Sequence, residues 1–310
     1  MRLAVPLTRS LPLATSPYGR GDLLPAPRER TYTSADNLRL FFRDWGVEDS
    51  PLTPVLCLAG LTRNSTDFIK LARHLGPRRV ICPDLRGRGR SAHAADWRTY
   101  DAAVYVDDIR HLLAILGLGK VIVVGTSMGG LLGMAMAAAM PTALAGLVIN
   151  DVGPEIATEG AGRILAYIAK DRPVRDWPAA VAHLKQILPH MSLTADEDWL
   201  DFARGSYRED PDGLLHFDWD VNLARPLLNP PEPLPDLWGL WHATNAIPTL
   251  VIRGGVSDIL SAETLARMQA THPNMRQATV PGVGHAPVLN EPIAVKAIDD
   301  LLSTADHHRH

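Results

Sequence analysis

The chain has 310 residues, 46% of them apolar, and a formal charge of -3. Its length suffices to bury a substantial core in one large domain or two average ones, and its near-neutral charge gives no general reason to expect nucleic acid or a membrane as partner. The two cysteines, Cys57 and Cys82, fall in apolar runs that read as core strands, where reduced thiols acting as small hydrophobes are expected rather than a disulfide or metal pair; a cytoplasmic setting fits.

Residues 1–28 contain arginines and short apolar pieces, but Pro6, Pro12 and Pro17 interrupt every run before it reaches the length of a signal peptide or membrane span. They read as an N-terminal extension, with a targeting role as the alternative. An opening hairpin follows at residues 31–45, turning at Asp36-Asn37 into a strand over Leu38 to Trp45. Short apolar runs then recur at Val55–Ala59, Val80–Cys82, Val121–Val124, Leu147–Asn150, Thr249–Ile252 and Gln277–Val280, most alternating with helical-period segments at 66–75, 101–117, 261–271 and 291–302. This alternation predicts an α/β fold, a mostly parallel, doubly wound sheet with helices on both faces. Its functional groups gather beyond the C-terminal strand ends.

At Lys120–Gly130 a β-branched strand runs through Gly125-Thr126-Ser127-Met128-Gly129 into a small-residue helix that Pro141 ends. A serine on so sharp a turn is lifted above the sheet, and the Met128 amide behind it opens a helix N-terminus, where free donors can hold an oxyanion. Leu61, in the glycine-led loop after Val55–Ala59, offers a second such amide. A serine hydroxyl needs a base within reach and a carboxylate to hold that base in one tautomer. His285, after Gln277–Val280, is the expected base, and Asp258, after Thr249–Ile252, the expected acid; Asp151, just after Leu147–Asn150, is the main rival and Asp84 a lesser one. No metal or organic cofactor is required.

These residues resemble the α/β-hydrolase superfamily over nearly all of residues 31–303. The matching pieces are Ala59-Gly60-Leu61, the run Asp84-Leu85-Arg86-Gly87-Arg88-Gly89-Arg90-Ser91, the Gly125–Gly129 turn, Asp258 and Gly284-His285. The resemblance implies Ser127 as nucleophile, Asp258 as acid, His285 as base, and the Leu61 and Met128 amides as oxyanion hole; it also makes the arginine-glycine run a structural turn rather than an RNA-binding element. Ala59 and Thr126 stand where many relatives carry histidine, and a serine nucleophile differs from the aspartate of look-alike dehalogenases and epoxide hydrolases.

Roughly a hundred residues separate Asn150 from Thr249, far more than one crossover needs. The expected organisation is a core of 29–154 and 243–303, a helical cap at 155–242 inserted after the sixth strand, and a disordered tail at 304–310. Helical patterns at 160–170, 178–188 and 195–205 and five tryptophans fall in the cap. Trp199 and Trp219 are candidate pocket residues, as is Arg63, which could pair with a substrate carboxylate if no neighbouring acid holds it. The expected activity is hydrolysis of small or medium carboxylic esters or lactones through an acyl-enzyme. The alternatives are a hydrolase of carbon-carbon bonds in ring-cleavage products, a cofactor-free perhydrolase, and a ligand receptor on the same fold. Oligomeric state is open, with a homo-oligomer possible.

Overall fold

The computed structural model describes residues 26–230 and 235–307; most of the N-terminal extension, residues 1–25, lies outside them. Eight strands form one sheet in the order β1-β2-β4-β3-β5-β6-β9-β10. They are β1 (Arg28–Thr33), β2 (Arg39–Trp45), β3 (Val55–Leu58), β4 (Val80–Asp84), β5 (Val121–Thr126), β6 (Leu144–Asn150), β9 (Thr249–Gly254) and β10 (Met275–Val280). The hairpin strand β2 runs antiparallel to β1 and β4, and the remaining neighbours pair in parallel. The parallel part follows from its sequence: strands such as VIVV are apolar at every position because both faces are covered. Val121 and Val123 pack on one face, and Ile122 and Val124 on the other.

The first face is covered by α2 (Ala102–Ile115), α3 (Met128–Ala139), α8 (Leu237–His242) and α9 (Ala262–Thr271), through Leu112, Leu132, Trp241 and Met268. The second is covered by α1 (Ile69–His74) and α10 (Pro292–His307), through Leu71 and Ile298. The last helix continues past residue 303, where a tail was expected, because Leu301, Leu302 and Ala305 are buried and the Asp306 carboxylate accepts from Arg78 Nη2 at 2.6 Å and Thr53 N at 3.0 Å.

Between β6 and β9 the chain builds α4 (Thr158–Ile168), α5 (Trp177–Ile187), α6 (Asp196–Arg204), a short hairpin of β7 (Tyr207–Glu209) and β8 (Leu215–Phe217), and α7 (Arg225–Leu228). Helices α4, α5 and α6 fall where the 3.6-residue periodicity puts them, whereas α7 is a single turn that no pattern marks. The hairpin is not expected from the sequence, because strands of three residues are too short to carry a readable alternation. After it, the segment at 218–220 lies on the turn that follows β4: Gly89 N donates to Asp218 O at 3.0 Å and Asp220 N to Gly87 O at 2.8 Å.

Asp218 sits in this seam, accepting from Asn64 Nδ2 at 3.3 Å with Arg208 Nη1 3.9 Å away. Burial pushes its carboxyl up to about 6. A folded-state value above that of the unfolded chain penalises the native state fully above pH about 6 and not at all below about 4, where both states are protonated. Asp218→Asn is therefore expected to raise the thermal midpoint by about 2 to 4 °C at pH 7.5 and to leave it unchanged near pH 4. An equal shift at both values would refute the burial account.

Candidate active site

The turn between β5 and α3 is forced by close packing. A Cβ on Gly125 would lie 2.2 Å from Gly129 O, and one on Gly129 would lie 2.0 Å from Leu58 O, so neither position admits a side chain. Between them Ser127 adopts φ 53 and ψ -118, a strained conformation for a non-glycine residue. It is held by its amide, which donates to Asn150 O at 2.8 Å. Ser127 Oγ lies 2.9 Å from His285 Nε2, and His285 Nδ1 lies 2.9 Å from Asp151 Oδ2.

The carboxylate bonded to His285 is that of Asp151, not that of Asp258, which was expected there. Asp151 follows β6 directly, with its own amide donating to Ile252 O at 2.7 Å and its Oδ1 accepting from Gly254 N at 2.7 Å. The side chain is fully buried, and its second oxygen is left for the imidazole. Asp258 lies four residues beyond β9 on a loop that packs against α4, where a Cβ on Gly160 would come within 2.2 Å of Asp258 O. One turn along that helix, Arg163 takes the carboxylate with Nε at 2.7 Å and Nη2 at 2.9 Å. This bidentate pair holds the Asp258 carboxyl below its usual range and raises the guanidinium.

Asn150 is a site residue that the sequence reading misses. Its Nδ2 donates to Pro287 O at 2.8 Å and to Thr126 Oγ1 at 3.1 Å, joining the serine turn to the loop that carries His285. Asparagine at a strand end is too common to signal this.

A cavity of about 440 Å³ opens on Ser127, His285 and Leu61. The cap lines it with Ile164, Tyr167, Leu184, Met191, Phe202 and Trp219, a mostly apolar wall. Trp219 lies on this wall, stacked on Phe217 at 3.9 Å, and its indole N–H has no protein partner. Trp199 does not line the cavity; its Nε1 donates to Leu193 O at 3.0 Å and its ring packs edge-on to Phe202, inside the cap. Arg63 does line the cavity, but its Nε donates to Asp67 Oδ2 at 3.0 Å, its Nη1 to Ser206 Oγ, and its guanidinium lies 3.8 Å from the Phe202 ring centroid. With that fork occupied, Arg63 is not a free receiver for a carboxylate. Among the described residues no group of three or more His, Cys, Asp or Glu is placed to hold a metal ion.

Residues 55–298 match the model of the alpha/beta hydrolase family. The chain is an α/β-hydrolase. This hydrolase is 35% identical over 265 residues to a 3-hydroxybutyrate-oligomer hydrolase of Cupriavidus necator, an alignment covering 83% of this chain and 90% of the relative. It is 29% identical to a 2-(acetamidomethylene)succinate hydrolase of Mesorhizobium japonicum, covering 80% and 87% of the two chains. Among solved structures it is similar to an α/β-hydrolase from Novosphingobium aromaticivorans, with 41% identity, a TM-score of 0.83, and coverage of 90% of this chain and 98% of that one.

The turn after β4 is structural in this hydrolase. Asp84 accepts from Ser65 N at 2.8 Å and Arg90 N at 2.9 Å, and Arg86 is held by Asp36 and Asp108, both at 2.8 Å. No helix among the described residues is long and apolar enough to cross a membrane.

Proposed function

We propose that this hydrolase cleaves carboxylic esters through an acyl-enzyme on Ser127. The observation that carries the reading is the continuous chain from Ser127 Oγ through His285 to Asp151, with both links at 2.9 Å. His285 Nε2 takes the hydroxyl proton as Ser127 attacks the carbonyl carbon, while Asp151 accepts from Nδ1–H, fixing the tautomer and stabilising the imidazolium. The negative oxygen rests on the Leu61 and Met128 amides. Collapse expels the alcohol, protonated by His285, and water then repeats the sequence on the acyl-serine.

The substrate class best supported is an oligoester of a short hydroxyacid, as in the name of the Cupriavidus relative. The apolar cap wall suits short alkyl chains. Arg63 and Arg163, two of the arginines lining this cavity, already hold Asp67 and Asp258, which favours an uncharged ester over a compact dicarboxylate.

The test is treatment with a small fluorophosphonate followed by peptide mapping, alongside assays of 3-hydroxybutyrate dimer and trimer, simple butyrate esters and lactones. A single adduct on Ser127 with release of hydroxybutyrate monomer is expected. Labelling without cleavage of any hydroxyacid oligoester would overturn the substrate class, and folded protein that takes no label would overturn the nucleophile.

A further inference from the structure

Arg88 occupies the turn after β4 and is completely buried. Its Nε donates to Leu61 O at 2.6 Å, its Nη1 to Arg86 O at 2.6 Å and to Tyr105 Oη at 2.9 Å, and its Nη2 points to Met128 Sδ at 3.5 Å. The guanidinium carbon lies 4.9 Å from the Tyr105 ring centroid. Among the described residues no carboxylate lies within ion-pairing distance of this group, whereas neighbouring Arg86 is held between Asp36 and Asp108. A buried cation without a counter-ion is costly, and a fold that keeps one solvates it with neutral dipoles. Here those dipoles come from Leu61, Arg86, Tyr105 and Met128.

We propose that Arg88 is a positioning residue for the oxyanion hole, an inference that rests on Ser127 being the nucleophile. One planar fork touches both residues whose amides form the hole: the carbonyl of Leu61 and the thioether of Met128. Holding Leu61 O fixes that residue's backbone, while Gly60 O, on the other side of the Leu61 amide, accepts from Arg63 N at 3.1 Å. The amide is thereby clamped from both flanks. The charge of Arg88 is not cancelled by an adjacent acid, so it also favours the negative oxygen that appears only in the tetrahedral state, in surroundings of low dielectric. The glycines on either side of Arg88 are bonded to the cap at Asp218 and Asp220, so the same turn couples seating of the cap to the geometry of the hole.

The experiment compares wild type with Arg88→Lys, Arg88→Met and Tyr105→Phe in the full chain. It measures kcat and KM on a butyrate ester, inhibition by an alkylboronic acid, which forms a tetrahedral serine adduct, and inhibition by butyrate, which does not. For the folded Arg88 variants, kcat should fall about 10- to 100-fold with KM within about threefold, and boronate affinity should weaken by the same factor as kcat/KM while butyrate affinity holds. Tyr105→Phe, which removes only the hydroxyl on Nη1, should move both readouts in the same direction by a smaller factor and supplies the answer where an Arg88 variant does not fold. Unchanged boronate affinity in a folded variant, or equal weakening of boronate and butyrate, overturns the proposal. Fluorophosphonate labelling of wild-type Ser127 reports on the nucleophile separately.

Discussion

Asp151→Asn is expected to lower kcat by about 10⁴-fold with little change in KM, while Asp258→Asn stays within about tenfold of wild type. Asparagine at 151 still fits the site, but its amide can present N–H to His285 Nδ1 and stabilise the wrong tautomer, in which Nε2 carries a proton and cannot accept one from Ser127. The Asp151 side chain is fully buried and bonded to Gly254 N, so the substituted amide stays facing the imidazole. At position 258 the substitution weakens a bridge to Arg163 and leaves the His285 contact intact. Steady-state kinetics on one butyrate ester decide the matter. A severe loss in Asp258→Asn with a mild one in Asp151→Asn would return the acid role to the end of β9.

Ser127→Ala is expected to remove activity by about 10⁴- to 10⁶-fold and to abolish fluorophosphonate labelling. The variant should also be no less stable than wild type. Ser127 Oγ has His285 as its hydrogen-bond partner, and its backbone is in a positive-φ conformation that serine and alanine both tolerate poorly, so the exchange leaves backbone strain unchanged. Thermal melting and single-turnover release of the alcohol product check both parts. Substantial residual turnover would mean that another group attacks the ester.

The sheet was legible because parallel strands buried on both faces are apolar at every position, a pattern that loops and surface helices do not imitate. The serine turn was legible because Gly125 and Gly129 leave no room for a Cβ, which makes the glycine spacing a steric requirement. The acid was not. Chain order places a carboxylate after β6 and another after β9, and what separates them is a cap residue, Arg163, about ninety-five positions from Asp258 in sequence. Asp151 also owes its aim to φ 59, a conformation aspartate tolerates better than most residues but which no local pattern announces. The role of Trp199 was hidden for a similar reason: a helix presents tryptophan to its own neighbours or to a ligand with the same spacing. For Arg63 the sequence offers both a substrate and a neighbouring acid as partners, and Asp67, four residues on, takes it.

The cap is sewn to the core along two seams. On one, Arg163 grips Asp258. On the other, Asn64 Nδ2 donates to Gly205 O at 2.9 Å, Gly89 N bonds Asp218 O, and Tyr100 Oη donates to Asp220 Oδ2 at 2.6 Å. Bonded on both margins, the cap opens only if the Arg163–Asp258 pair on one side or the Asn64, Gly89 and Tyr100 bonds on the other are broken. If the substrate is the hydroxyacid oligoester proposed above, a roof pinned in this way predicts that a long chain is shortened from its end rather than cut at random along its length, which product sizing over time checks.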